Sequence, residues 1–158
     1  MSLRLRVMTT SDAHAALSAL TATPLDTAAV LAAPFDVDAA SYHGVIVCTG
    51  EGPVQTMAGL IEKPDREQAA RLETEHGTAN LRLLQGRVRV TPGLLDYLSV
   101  VARSTTSEPK LSLPLAAYAG SHRIDVVTST QSLTDLGQPG SGGAFQDDGL
   151  RNAAPAPG

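Results

Sequence analysis

The stretch "YHGVIVCTGEGPVQTMAGLIEKP", residues 42–64, most limits the architectures open to this chain. Two runs rich in Val, Ile and Leu flank the turn "GEGP". Apolar runs joined by a Gly/Pro turn predict an antiparallel hairpin over residues 42–62. Pro64 ends the second strand, because proline brings no N–H to a ladder. Whatever sheet the chain builds is therefore antiparallel in part.

The hairpin's neighbours alternate in type. "LRLRVMTT" alternates apolar and polar residues as a half-buried strand does, and "SDAHAALSAL" predicts a short helix capped by Ser11 or Asp12. "TAAVLAAPF" has no decisive period and suits a buried strand or a helix. After Pro64, "DREQAARLETEHG" predicts a helix, with Asp65 near its start and Gly77 at its end. "NLRLLQGRVRV" is strand-like. "TPGLLDYLSVVARS" predicts a helix with Thr91 as cap and Pro92 in first position. "EPKLSLPLAAYAG" predicts a short helix interrupted near Pro114, "SHRIDVVTS" a last strand and "TQSLTDLG" a last helical turn or two. The class is α/β: a mixed, partly antiparallel sheet with flanking helices. One domain is expected over residues 1–137, and a disordered Gly/Pro/Ala-rich tail over 138–158.

Composition narrows the partners. With 3% aromatic residues and no Trp, the core must be built from Ala, Val and Leu, and a base-stacking platform is disfavoured. The net charge of −4, without a basic block, argues against nucleic acid. No segment has the length of a membrane span. The lone Cys48 has no internal disulfide partner, and "MSLRLRVMTTSDAHAAL" lacks the apolar core of a secretory signal. A reducing, cytoplasmic compartment is the default expectation.

Glu62 and Lys63 end a strand side by side. There a carboxylate can accept hydrogen bonds from sugar hydroxyls, and an ammonium can meet a phosphate as a point charge. The plain alternative is an exposed charged turn. Asn80 precedes the next strand and can either read hydroxyls or bond its own backbone. Gly44 marks either a close approach by a ligand or a bulge. Asp12 and Asp125 fall at expected strand ends, where two carboxylates could hold Mg²⁺; the alternatives are a helix cap and a solvated acid. There is no GxGxxG, Walker A, CxxC or HExxH pattern, and no nucleophile elbow.

The order "SYHGVIV", "GLIEKP", "ANLRLLQGRVRVTPGLLDYL", "RIDVVTSTQSL" resembles the second half of sugar-1-phosphate nucleotidyltransferases, the sugar-nucleotide pyrophosphorylases. Within them it looks most like the bacterial UTP-glucose-1-phosphate uridylyltransferases. The matching span runs from residue 37 to 137. The resemblance implies the C-terminal part of a nucleotide-diphospho-sugar transferase fold. It also implies roles: Gly44 against the sugar, Glu62 on its hydroxyls, Lys63 on its phosphate, Asn80 on the sugar, and Asp125 with Asp12 on Mg²⁺. In such proteins a sugar phosphate oxygen attacks the α-phosphate of UTP, and pyrophosphate leaves.

This chain departs from the pattern at several points. The family's Gly-rich nucleotide loop, with its Arg and downstream Lys, has no counterpart in these 158 residues. His43 breaks the Tyr-Gly step, and Asp125 is followed by Val126-Val127-Thr128 where the family has Val-Gly-Thr. The expectation is a truncated, nucleotidyltransferase-like protein that binds a sugar 1-phosphate or nucleotide sugar and is incomplete for catalysis. The alternative is a non-catalytic binding or assembly module on a remnant fold. Whether the chain is an enzyme stays open at this stage. Because half a fold would uncover a sheet edge, the chain is expected to form a homo-oligomer, bind a covering partner chain, or rearrange its sheet.

Overall fold

The computed structural model describes residues 18–104 and 111–129. The sequence expectations for residues 1–17, for the segment after 129, and for Asp12 lie outside the described residues. Among the described residues there are five strands: β1 (Ala28–Pro34), β2 (Gly44–Thr49), β3 (Val54–Glu62), β4 (Leu81–Arg89) and β5 (Ile124–Thr128). Among the described residues, residues 18–21 are helical, and three further α-helices follow: α1 (Arg66–His76), α2 (Pro92–Ser104) and α3 (Ser112–Ala119). Short 3-10 turns at Ala40–Tyr42 and Thr78–Asn80 lead into β2 and β4.

The sheet is mixed and closes on itself in the order β1-β4-β2-β3-β5. The β1–β5 pair is parallel, with Ala29 opposite Asp125; the remaining pairs are antiparallel. The seam forms where Val54, Gln55 and Thr56 of β3 meet Val127, Val126 and Asp125 of β5. An edge expected to need a covering partner is thus partly paired within the chain. Full closure is the most direct way for a sheet to remove exposed ladder groups.

Neighbouring residues of a strand face opposite sides. One face gathers Val30 and Ala32 of β1, Ile46 and Cys48 of β2, Met57 of β3, Leu84 of β4, and Ile124 and Val126 of β5. Because all five strands contribute, this is the inner face. Leu94 of α2 and Leu115 and Tyr118 of α3 pack onto the same cluster. The other face holds two smaller groups. Val45, Leu81 and Leu83 pack with Ala69 of α1, and Ala29, Leu31 and Val127 pack with Leu20. Alanines at 28, 29, 32, 40 and 69 are all buried, as an aromatic-poor core requires.

Two of these helices, α1 and α2, start where the sequence places caps. The Asp65 side chain accepts from the Gln68 N–H at 2.8 Å, and the Gln68 side chain accepts in turn from the Asp65 N–H at 3.1 Å. This reciprocal capping box fixes the start of α1. The Leu94 N–H donates to Thr91 Oγ1 at 3.3 Å, so Thr91 caps α2. The expected break near Pro114 does not occur: α3 runs unbroken from Ser112 to Ala119. Pro114 is its third residue, within the first turn, where no intrahelical acceptor awaits an N–H.

Candidate functional site

The hairpin brings Gly44 directly opposite Glu62. That pairing depends on a bulge. Cys48 faces Met57 and Val47 faces Gly59, so Ala58 is an extra residue on β3. Without it, Gly44 would face Ile61, and Glu62 would be turned to the other side. As built, Glu62 lies on the inner face with Leu60. A Cβ placed on Gly44 would stand 3.5 Å from Glu62 Oε2, 3.0 Å from Leu60 Cδ1 and 3.5 Å from Leu84 Cδ2. The absent side chain therefore lets Leu60, Leu84 and the Glu62 carboxylate pack closely against a buried glycine. The half-buried Glu62 carboxylate at this strand end can accept hydrogen bonds.

Lys63 follows with φ 43°, the sole non-glycine residue among those described with positive φ. Its N–H donates to the His43 carbonyl at 3.0 Å, which ties the turn to the start of β2. A lysine in the left-handed region stores strain, and such outliers concentrate at functional sites. Both Glu62 and Lys63 are half-buried. His43 is buried, with 8% of its surface exposed, and it also has a bonding partner. Sequence reasoning gave Leu60, Leu84 and the carbonyl of His43 no part here; the pairing of β2 with both β3 and β4 brings them beside Gly44 and Lys63.

Asn80 does not join this group. Its Nδ2 donates to the His76 carbonyl at 3.0 Å, bonding the end of α1. It precedes Leu81, which pairs with Val47, whereas Gly44 lies three positions further along β2. That spacing is roughly 10 Å. Thr78–Asn80 is the 3-10 turn before β4, and Asn80 holds it to the helix.

Asp125 stands elsewhere again. It lies between Ile124 and Val126, which face inward, so its own side chain shares the outer face with Val127 and Ala29. It is nonetheless fully buried. Its Oδ1 accepts from Arg123 Nε at 2.7 Å, while Oδ2 has no hydrogen-bond partner among the described residues. It pairs with Thr56, six positions along β3 from Glu62. The two carboxylates are therefore on opposite faces and roughly 20 Å apart along the strand.

The Mg²⁺ role implied for Asp125 does not fit this placement. Mg²⁺ at a phosphate site takes one or two carboxylates together with phosphate oxygens at about 2.1 Å. An ion on Asp125 could not also touch a phosphate held by Lys63. The described residues contain no group of three His, Cys, Asp or Glu side chains able to hold a metal. Nor do they contain a helix long and apolar enough to cross a membrane.

No protein-family model matches this sequence, and no curated protein matches it. Solved structures do. The fold is similar to that of a UDP-glucose pyrophosphorylase complexed with UDP-glucose, with a TM-score of 0.59 and 20% identity, over 84% of this chain and 48% of that one. It is similar to an apo UDP-glucose pyrophosphorylase, with a TM-score of 0.58 and 20% identity, over 92% of this chain and 52% of that one. A UTP-bound UGPase from Acinetobacter baumannii aligns with a TM-score of 0.53 and 16% identity, over 94% and 53%. The chain thus spans about half the length of the structures it matches. In fold, these residues are similar to part of a sugar-1-phosphate nucleotidyltransferase, the likeness that the order of sequence motifs implied.

Proposed function

We propose that this chain binds a sugar 1-phosphate or nucleotide sugar through Gly44, Glu62 and Lys63, and that these 158 residues do not complete nucleotidyl transfer by themselves. The observation that carries this reading is the bulge-dependent pairing of Gly44 with Glu62, next to a lysine held at positive φ. Glu62 accepts from sugar hydroxyls, and Lys63 supplies a cation for the phosphate. The similarity in fold to UDP-glucose pyrophosphorylase supports the ligand class. The lack of a Gly-rich phosphate loop in the sequence, and the separation of Asp125 from Glu62, support incompleteness.

Isothermal titration with glucose 1-phosphate and with UDP-glucose tests the binding. Saturable binding that Lys63→Ala weakens is the expected result; no binding of either compound sinks the reading. Incubation with UTP, glucose 1-phosphate and Mg²⁺ tests the second part, with no pyrophosphate released above background.

The second reading, an assembly module on the same fold, draws on one feature. Leu95, Val100 and Leu113 are exposed on α2 and α3. The proposed homo-oligomer would use these residues rather than a sheet edge. Sedimentation velocity on the wild type and on a Leu95→Glu/Leu113→Glu variant decides it: a species larger than the monomer, lost in the variant, is required.

A further inference from the structure

We infer that ligand binding at Gly44, Glu62 and Lys63 is independent of Asp125 and of any divalent cation, and that Asp125 serves the seam of the closed sheet instead. The inference rests on the reading of that trio as a sugar-phosphate site. The geometry comes from three sides. The strand register separates Asp125 from Glu62 by six positions of β3 and turns the two side chains to opposite faces. The burial of Asp125 is complete, whereas a Mg²⁺ site on a phosphate keeps several waters and an open approach. Finally, the Asp125 carboxylate already has a cation, the Arg123 guanidinium at 2.7 Å.

Asp125 sits where β5 meets both its neighbours, opposite Ala29 of β1 and opposite Thr56 of β3. A buried carboxylate retained at such a junction is costly unless it is paired, and Arg123, just before the start of β5, supplies the charge. Arg123 is itself well exposed, so the pair joins a solvated cation to a buried anion. Closing the sheet at this seam removes the acid from the ligand side. A phosphate at Lys63 then depends on that lysine alone among the candidate charges.

The test uses the whole chain. Glucose 1-phosphate is titrated into the wild type in excess Mg²⁺ and in excess EDTA, and into Asp125→Asn and Lys63→Ala. The two wild-type affinities are expected to agree within about twofold, as for uncoupled sites. Asp125→Asn is expected to match the wild type in affinity and to melt at a lower temperature. Lys63→Ala is expected to bind about tenfold more weakly or worse, as for a lost charge-assisted contact. Tightening by Mg²⁺ of about tenfold or more overturns the inference, with no variant needed. Should glucose 1-phosphate fail to bind, the same titrations are run with UDP-glucose, and if neither binds the functional reading falls. Mn²⁺ electron paramagnetic resonance then judges Asp125 separately. Equal Mn²⁺ binding by the wild type and a folded Asp125→Asn upholds its structural role, while Mn²⁺ binding that Asp125→Asn abolishes refutes it. If that variant does not fold, Mn²⁺ that binds the wild type and is displaced by Mg²⁺ refutes the role, and no bound Mn²⁺ upholds it.

Discussion

Glu62 faces Gly44 because one residue, Ala58, is inserted between them and the hairpin turn. A side chain on Gly44 would meet Leu60 Cδ1 at 3.0 Å, a contact that only the flexible end of that leucine can relieve. Gly44→Ala is therefore expected to fold, with a loss of about 1–2 kcal/mol for overpacking. The new methyl also stands 3.5 Å from Glu62 Oε2 and displaces that carboxylate, so affinity for glucose 1-phosphate should fall much further than stability does. Urea denaturation and calorimetry on the same preparation check both halves.

Lys63 separates backbone strain from charge. Its φ of 43° suits glycine and disfavours alanine. Lys63→Gly should be more stable than Lys63→Ala by about 1 kcal/mol, while both lose the phosphate contact equally. A stability order with alanine above glycine, read from urea midpoints, would show that the turn relaxes when the lysine is removed.

The loop before β1 depends on Arg89. Its guanidinium donates to the carbonyls of Leu20, Thr23, Pro24 and Thr27 and to Thr23 Oγ1. A fan of this kind needs the planar fork of arginine; an ammonium has three donors and no such spread. Arg89→Lys is expected to lose about 1 kcal/mol and Arg89→Met slightly more, because each leaves partly buried acceptors unmet. Hydrogen exchange should show faster opening of residues 20–27 in both variants.

Asp65→Ala removes one side of the capping box at α1 and should cost about 1 kcal/mol. Because α1 contributes only Ala69 as a fully buried residue, the helix relies on its cap more than on packing. The measurement is the urea midpoint, with Asp65→Asn expected to retain most of the wild-type value.

Cys48 gives the pH prediction. Burial pushes its thiol up from 9.0 to about 11, and the Arg82 charge opposes the shift. The folded value exceeds the unfolded one, so this contribution to stability is complete below pH 9.0 and is lost as pH rises towards about 11. Wild type should lose more stability than Cys48→Ala across that window. The native thiol should also resist iodoacetamide at neutral pH until the chain is unfolded.

Much of this architecture was legible in the sequence. Pro64, Asp65 and Gly77 mark their boundaries by local chemistry: a missing N–H, a side-chain acceptor and a left-handed terminus. These signals act within a few residues, so one sequence suffices to read them. The alignment of Gly44 with Glu62 was not legible, since it turns on which residue of β3 is unpaired, and nothing in "VQTMAGLIE" distinguishes Ala58 from its neighbours. The places of Asn80 and Asp125 were hidden for the opposite reason. Each sits correctly in its own element, but the end of the sheet and the face it occupies are set by pairings with distant strands. Pro114 misled because proline breaks a helix interior yet fits its first turn, and the true start at Ser112 carries no side-chain cap.

The seam between β5 and its two neighbours bears on how the protein is made. A ribosome delivers Ile124–Thr128 last among the five strands, so β1 and the start of β3 wait for their mate until the other strands have been made. Pairings this distant in sequence form late and slowly. A nascent chain that stops short of β5 presents two open ladders at once, each a template for another such chain. Translation to Thr128 is thus the step at which a sticky intermediate becomes a self-contained one.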